Sequence, residues 1–330
     1  MATMYDIAQK TGVSKSTVSR TLRHDPTLHI TEETRRKILS TAEELGYKIK
    51  KEKMLSYVAN IAIIHKDTHF LNQIDNAFFF AMRYGIEQTC LLNNIQNTFI
   101  PYEFLNRTPM NYDGFIIIGG FTRQQMEKMR DIAGGKPCVY VGKCNYCYHE
   151  FDWITSDVKE NVYTAMGALY EAGCRKVLYM GGIDVEGTDY EFKKTYYYRK
   201  FLEQHSDMKS IDLLEGEHGS ESGYNMMKKW IEDNNELPEG IFASNDPIAI
   251  GAIRALNEKE ISIPGEVSIV SRNGDEQGAM TSPPLATVDV HPMEMGKEAV
   301  KLISERLEER SGVRKKIMFA STYIPRKSVR

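Results

Sequence analysis

With 330 residues, 42% of them hydrophobic, the chain can build more than one core without disulfide or metal staples. Its charged fraction is 26%, no apolar run reaches membrane-span length, and MATMYDIAQK lacks the basic-then-apolar plan of a signal peptide. Disordered, membrane-embedded and exported chains are disfavoured. Five cysteines, an odd number, suit a reducing compartment, so a cytoplasmic protein is expected. The net charge of −3 is unevenly placed: residues 1–58 hold 11 Lys+Arg against 7 Asp+Glu, a balance of +4, leaving −7 on the rest. A small basic head on a larger acidic body asks for a partner that explains it.

In the head, the spacing predicts a helix from about Met4 to Thr11, capped by Thr3, with Ile7 and Ala8 facing inward. Gly12 supplies the left-handed stop, and Val13 drops into the core. Ser14 then caps a second helix from Lys15 to about Arg23. Val18 and Leu22 form its inner edge, while Lys15, Ser16, Ser19, Arg20 and Arg23 fan over the opposite arc. Hydroxyls and cations on an outer face suit phosphates and guanine edges. Thr31, followed by Glu32 and Glu33, opens a third helix with Ile38, Ala42 and Leu45 inside and Gly46 at its end. The pattern is an all-α helix-turn-helix domain over residues 1–47. A solvated helical module with merely solubilising lysines would not explain why caps, turn and cations coincide.

The stretches MATMYDIAQKTGVSKSTVSRTL and TEETRRKILSTAEELGY resemble the head of the LacI/GalR family of transcription repressors. Ala8, Gly12, Val13, Ser14, Thr17-Val18-Ser19-Arg20 and Leu45-Gly46-Tyr47 fall in family register. The resemblance implies that Lys15, Ser16 and Arg20 read base edges in the major groove. It implies phosphate-positioning or packing roles for Thr3, Tyr5, Ser14, Thr17 and Ser19. It also implies a hinge that wedges a leucine into the minor groove. Here the linker, residues 48–58, reads KIKKEKMLSYV and lacks the family's Pro-Asn and Ala-Arg pairs. Leu55 is therefore either the wedge or simple linker packing. Lys48, Lys50, Lys51 and Lys53 add an attraction to phosphate that salt should weaken.

From Ala59 onward, apolar runs alternate with amphipathic segments. NIAIIH, YDGFIIIGG, KPCVYVG, RKVLYMGG, EGIFASND and EVSIVS are continuous, as strands buried on both faces are. Helices are predicted at Phe78–Gln88, Thr122–Ala133, Lys159–Ala172, Ser222–Glu232, Pro247–Lys259 and Met293–Glu309. This repetition gives an α/β body of two doubly wound parallel-sheet lobes. The first is expected over about 59–155 and 290–315, the second over about 156–289 and 316–330. Ligands of such sheets bind beyond the carboxyl ends of strands. Those ends carry His65-Lys66-Asp67, Gly119-Gly120, Gly142-Lys143, Gly181-Gly182, Asn245-Asp246 and Arg272-Asn273.

The body looks like the same family's effector domain, itself similar to periplasmic sugar-binding proteins with a cleft between lobes. SNDPIAIGAIRAL implies Asn245 and Asp246 at the cleft, although Asp246 also reads as the cap of a helix beginning at Pro247. Pro283-Pro284-Leu285 sets the register, so the family's sugar-binding Asp falls on Asn273 and its stacking aromatic on His218. Its effector-binding Arg falls on Lys193 or Lys194, and the Asp after the KPCVYV-type strand on Gly142. Phe78, Phe79 and Phe80 are consecutive and cannot all face one core. Either Phe78 or Phe79 looks into the cleft, or all three pack between helices and a dimer partner. Trp153 is likewise either core or cleft edge.

Cys144 and Cys147, with Cys138 and His149 near, form a lone CxxC, a weak metal signal. GGIDVEG lacks the Lys-Ser/Thr of a phosphate loop, and no nucleophile elbow, HExxH or kinase signature occurs. No metal, cofactor, membrane partner or enzymatic activity is expected. The expectation is a homodimeric DNA-binding regulator on a near-palindromic operator, a repressor of a sugar-utilisation operon controlled by a small sugar. The branch it most resembles, galactose-type repressors of Gram-positive bacteria and of the evolved β-galactosidase operon, implies galactose or a β-galactoside. The rivals are a cytoplasmic sugar-binding protein, a sugar-processing enzyme, and a corepressor-type regulator with a different effector.

Overall fold

Thr3 begins the first helix through a reciprocal cap. Its hydroxyl accepts the Asp6 N–H at 3.3 Å, and the Asp6 carboxylate accepts the Thr3 N–H at 2.7 Å. These bonds hold the Asp6 carboxyl below its ordinary value. Helix α1 (Met4–Thr11) stops at Gly12, whose φ of 74° is the left-handed region that glycine enters without strain. Helices α2 (Lys15–Leu22) and α3 (Glu32–Glu44) complete the head around Ile7, Ala8, Val18, Leu22, Ile38 and Ala42. All three helices agree with the sequence reading. The head lies in one compact unit, Met1–Met54; the other is Leu55–Arg330. The computed structural model describes residues 3–22, 28, 30–45, 47, 58–66, 75–108, 110–142, 150–184, 193–233, 236–308 and 312–330. Arg23, Gly46, the linker lysines and the expected wedge Leu55 lie outside the described residues.

The larger unit contains two six-stranded sheets. In lobe 1, β1 (Ala59–His65), β2 (Ile95–Pro101), β3 (Gly114–Ile118), β4 (Cys138–Val141), β5 (Asp152–Ser156) and β11 (Lys316–Phe319) run parallel in the order β11-β5-β4-β3-β1-β2. Helices α4 (Ala77–Leu92) and α10 (Pro292–Glu308) cover one face, and α5 (Arg123–Ala133) covers the other.

Lobe 2 has the strands β6 (Lys176–Gly182), β7 (Lys209–Gly216), β8 (Gly240–Ala243), β9 (Ser268–Asn273), β10 (Ala286–Asp289) and β12 (Thr322–Ile324). Their order is β12-β10-β9-β8-β6-β7, with only β12 antiparallel. One face carries α6 (Val158–Glu171) and α7 (Lys194–Gln204), and the other α8 (Ser220–Asp233) and α9 (Asp246–Glu258). Among the described residues no helix is long and apolar enough to cross a membrane.

The lobe boundary differs from the sequence reading at one place. Residues 316–319 belong to lobe 1, because KIMF pairs with β5, and only the strand after it joins lobe 2. A half-exposed four-residue edge strand carries too little apolar signal to announce its sheet.

Helix packing in both lobes rests on glycine pairs. A Cβ on Gly85 of α4 would stand 2.1 Å from the Met293 carbonyl oxygen, and one on Gly296 of α10 would stand 2.2 Å from that of Met82. In lobe 2, Gly223 of α8 approaches the Ile248 carbonyl as closely, and Gly251 of α9 that of Ser220. Each helix pair therefore meets backbone to backbone, and the second contact fixes where the N-termini of α8 and α9 sit.

A buried ion pair secures the return of the chain into β11. Asp152 is fully buried, and Arg306 of α10 donates to it twice, at 2.7 Å from Nε and from Nη2. The Lys315 N–H adds a third bond at 2.7 Å. Arg306→Met leaves this buried carboxylate with only the Lys315 N–H and the Arg314 guanidinium 3.7 Å away, so it should destabilise the body by up to about 3–5 kcal/mol in urea unfolding. The double change Asp152→Leu/Arg306→Met should recover a large part of that loss.

A candidate nucleic-acid interface and a candidate ligand cleft

On α2 the residue types sort by face. Val18, Thr21 and Leu22 are buried, Thr17 and Ser19 are half-buried, and Ser14, Lys15, Ser16 and Arg20 are exposed. Ser14 Oγ accepts the Thr17 N–H at 3.1 Å and shares hydrogen bonds with the hydroxyls of Ser16, 2.7 Å, and Thr17, 2.8 Å. The hydroxyls that could meet phosphate are thus held as one cluster at the helix start, where the dipole favours an anion. Thr3 is exposed but already engaged with Asp6, and Tyr5 is 67% exposed. Of the nine positions expected at DNA, all but Leu55 of the linker lie on α2, at its cap or at the start of α1.

In the larger unit, the carboxyl ends of the two sheets are bridged by polar contacts. Asp75, just before α4, accepts the Ser220 N–H at 2.7 Å and so caps α8 from the other lobe. A Cβ on Gly219 would stand 3.1 Å from the same carboxylate, which only glycine leaves open at that range. Arg272, at the end of β9, donates from Nη2 to Ser156 Oγ at 3.0 Å, at the end of β5. Ser156 Oγ also receives the Asn161 amide of α6 at 3.2 Å. The sequence reading gave Asp75 no role and placed Arg272 at a ligand-binding strand end without making it a contact. Asp75 sits in a stretch read for its phenylalanines, and Arg272 is an arginine inside an apolar run.

The sequence-expected cleft residues separate into those at the strand ends and those elsewhere. Asn245 caps α9: its Oδ1 accepts the Ile248 N–H at 2.9 Å and its Nδ2 donates to the His218 carbonyl at 2.9 Å. The cap is therefore Asn245, one residue before the predicted position. His218 is exposed, with Nε2 3.1 Å from the Ile183 carbonyl, and lies over Gly182, where a Cβ would strike its ring. Asn273 ends β9 at φ 136° and is 9% exposed. Lys193 is exposed ahead of α7, and Lys194, the first residue of α7, is buried. Phe78 and Phe79 pack edge to face, 5.1 Å apart, against the lobe 1 core under α4 and α10. Trp153 is core, donating to the Gly142 carbonyl at 2.7 Å. Cys144, Cys147 and His149 lie outside the described residues; Cys138 is buried in β4, which raises its thiol.

Asp246 departs most from expectation. Its carboxylate is fully buried and accepts the Ser271 hydroxyl, the Thr287 hydroxyl at 2.7 Å and the Asp275 N–H at 2.6 Å. It holds the loop after β9 to the sheet rather than facing open space. Burial pushes the Asp275 carboxyl up to about 8, helped by the charges of Asp246 and Asp289. Its Oδ2 has no hydrogen-bond partner. Burial also raises Asp246, but three donors favour its anion, so the proton of the pair rests on Asp275.

Residues 3–49 match the family model for bacterial regulatory proteins, lacI family, and residues 166–329 match that for the periplasmic binding protein-like domain. The chain is 31% identical to the HTH-type transcriptional repressor MelR of Bacillus subtilis, over 94% of this chain and 93% of that protein. It is 30% identical to the HTH-type transcriptional regulator GalR of Streptococcus thermophilus, over 93% of each. The solved lac repressor dimer, bound to operator and an anti-inducer, shares the fold with a TM-score of 0.67 at 17% identity, covering 99% of this chain and 98% of that one.

The Asp275 proton has a measurable consequence. The unfolded chain releases it near an ordinary carboxyl pKa of about 4, while the folded chain keeps it to about pH 8. This contribution to stability is full below that lower value and is lost as pH rises through the window, at up to about 1.4 kcal/mol per pH unit. Asp275→Asn should flatten this limb in urea melts between about pH 5 and about pH 8. An unchanged slope would show that the proton is not there.

Proposed function

The chain belongs to the lacI family of bacterial regulatory proteins, and from that premise we propose that it represses a sugar-utilisation operon. It is a DNA-binding transcriptional regulator. In this reading a small sugar, galactose or a β-galactoside, lies between the lobes and sets operator affinity. One helix-turn-helix head reads one half-site, so a homodimer on a near-palindromic operator follows, in the cytoplasm. The lac repressor dimer bound to its operator offers the same arrangement in a chain of the same fold. A coupling of about 1–3 kcal/mol between sugar and DNA would change operator affinity by about 5- to 150-fold.

The observation that carries the DNA reading is the sorting of α2: Lys15, Ser16 and Arg20 outside, Val18 and Leu22 inside. Lys15, Ser16 and Arg20 would read base edges. Tyr5, Ser14, Thr17 and Ser19 would position phosphates, with Thr3 divided between that task and its cap. Asn245, His218 and Asn273, at or beside strand ends, are the proposed sugar contacts, with Lys193 and Lys194 at the start of α7 as further candidates. The packing of Phe78 and Phe79 supports a supporting role under the cleft instead of a direct one. Leu55 remains the proposed minor-groove wedge.

Gel shift on the protein's own promoter tests this reading. Arg20→Ala should lose about 1–3 kcal/mol of discrimination between operator and random DNA while sugar binding stays intact. Equal loss on both DNAs would make Arg20 a phosphate contact. Leu55→Ala should weaken operator binding and reduce bending of the site; unchanged affinity and bend would remove the wedge.

A further inference from the structure

Arg272 is 8% exposed, yet no carboxylate among the described residues lies within ion-pair distance of it. Its bonds go to Ser156 Oγ at 3.0 Å and, at the limit of 3.5 Å, to Asn273 Oδ1. The Nε N–H has no acceptor, and on the other side of Ser156 the Asn161 Oδ1, equally buried, has no donor. Arg306 shows the contrast: equally buried, it has Asp152 on both forks. A desolvated guanidinium without an anion is costly, and the protein interior rarely holds one.

The carboxylates near it are already committed. Asp246 spends its oxygens on Ser271, Thr287 and the Asp275 N–H, and Asp275 keeps its proton at neutral pH. Asp246 and, more weakly, Asp184, half-buried after β6, act on Arg272 only from beyond ion-pair range. Burial brings the Arg272 guanidinium down to about 10, so it stays cationic. The ends of the strands in the two sheets also carry Gly119, Gly142, Ser156, Ser244, Asn245 and Asn273, none of them charged. Two of these, Gly142 and Asn273, stand where the family resemblance implied an acid.

Resting on the sugar-binding reading above, we infer that Arg272 reads an acid group, so that the cleft takes a galactose-type sugar bearing a carboxylate or a phosphate. The planar fork of a guanidinium matches the paired oxygens of either acid and gains most where water is excluded. Such a ligand supplies the missing counter-charge between β5 and β9, one in each lobe, and so favours the arrangement that brings them together. The orphan Asn161 Oδ1 would accept from a sugar hydroxyl beside the acid.

The test titrates the full chain calorimetrically with galacturonate, galactose 6-phosphate and galactose, and repeats the series with Arg272→Gln. One acid should bind at least tenfold tighter than galactose, the two arms telling carboxylate from phosphate. Arg272→Gln should abolish that preference, bringing the acid's affinity down to that of galactose. Because Arg272 has no ion pair to lose, Arg272→Met should unfold at the same or a higher temperature than the unliganded parent. Galactose binding as tightly as both acids, neither acid binding, or acid affinity unchanged in Arg272→Gln would each overturn the inference. Promoter gel shift of the unliganded protein scores the regulator reading separately: retained DNA binding with failed acids sinks the acid site alone.

Discussion

The chain passes between the two lobes three times, after Ser156, after Asp289 and after Phe319. Because β5 pairs with β11 in one sheet and β10 with β12 in the other, these passages run side by side at one edge. Everything else about the body follows from that confinement. The Asp152–Arg306 pair and the Lys315 N–H fix the register at which the last strand of lobe 1 enters the hinge. Among the described residues the lobes also meet through hydrogen bonds from Ser220 to Asp75 and, at the hinge itself, from Arg272 to Ser156. A bond of that kind exchanges with water at a net cost of about 1 kcal/mol. A ligand of modest affinity difference is therefore enough to bias the spacing of the lobes, whereas breaking the hinge register would not be within its reach.

The head solves a different problem. It must present cations and hydroxyls to DNA from a core of six small-to-medium side chains, and it does so with local bonds. The Thr3–Asp6 box, the left-handed Gly12 and the Ser14 hydroxyl cluster each act within a few residues. The surplus of positive charge is kept on this unit, and the body carries the balancing negative excess. A sugar-binding body with net positive charge would itself hold to phosphate backbones irrespective of sequence, so the separation keeps specificity with α2.

That difference in range explains what could be read from the sequence. Caps, stops and a 3.6-residue period are local, so α1, α2 and α3 stand where Thr3, Gly12, Ser14 and Thr31 put them. The buried strands β1, β3, β4, β6, β8 and β9 were legible as continuous apolar runs. The strands β2 and β7 at the sheet edges were not, because IQNTFIP and KSIDLLEG mix exposed polar residues into the pattern. Buried β5 was hidden too, since Asp152, Thr155 and Ser156 interrupt its apolar signal. At the cleft the one-residue shift of the α9 cap decided everything for Asp246. Asn245 took the cap, and Asp246 turned inward to Ser271 and Thr287, partners 25 and 41 residues away that no local pattern announces. The glycine crossings of α4 with α10 and of α8 with α9 are equally long-range, and each Gly alone reads only as a weak helix former.

The floor of the cleft can be understood as a small charge inventory. Asp246 is an anion stabilised by three donors, Asp275 is neutral, and Arg272 is a cation held between lobes by a hydroxyl. Arg272 feels the charge of Asp246 most, with that of Asp184 behind it, and both favour its cationic form. The proton on Asp275 keeps a further negative charge away from Asp246 and Asp289. The proposed sugar site is in that sense an electrostatic question posed at a hinge, with Asn245, His218 and Asn273 as its proposed hydroxyl contacts.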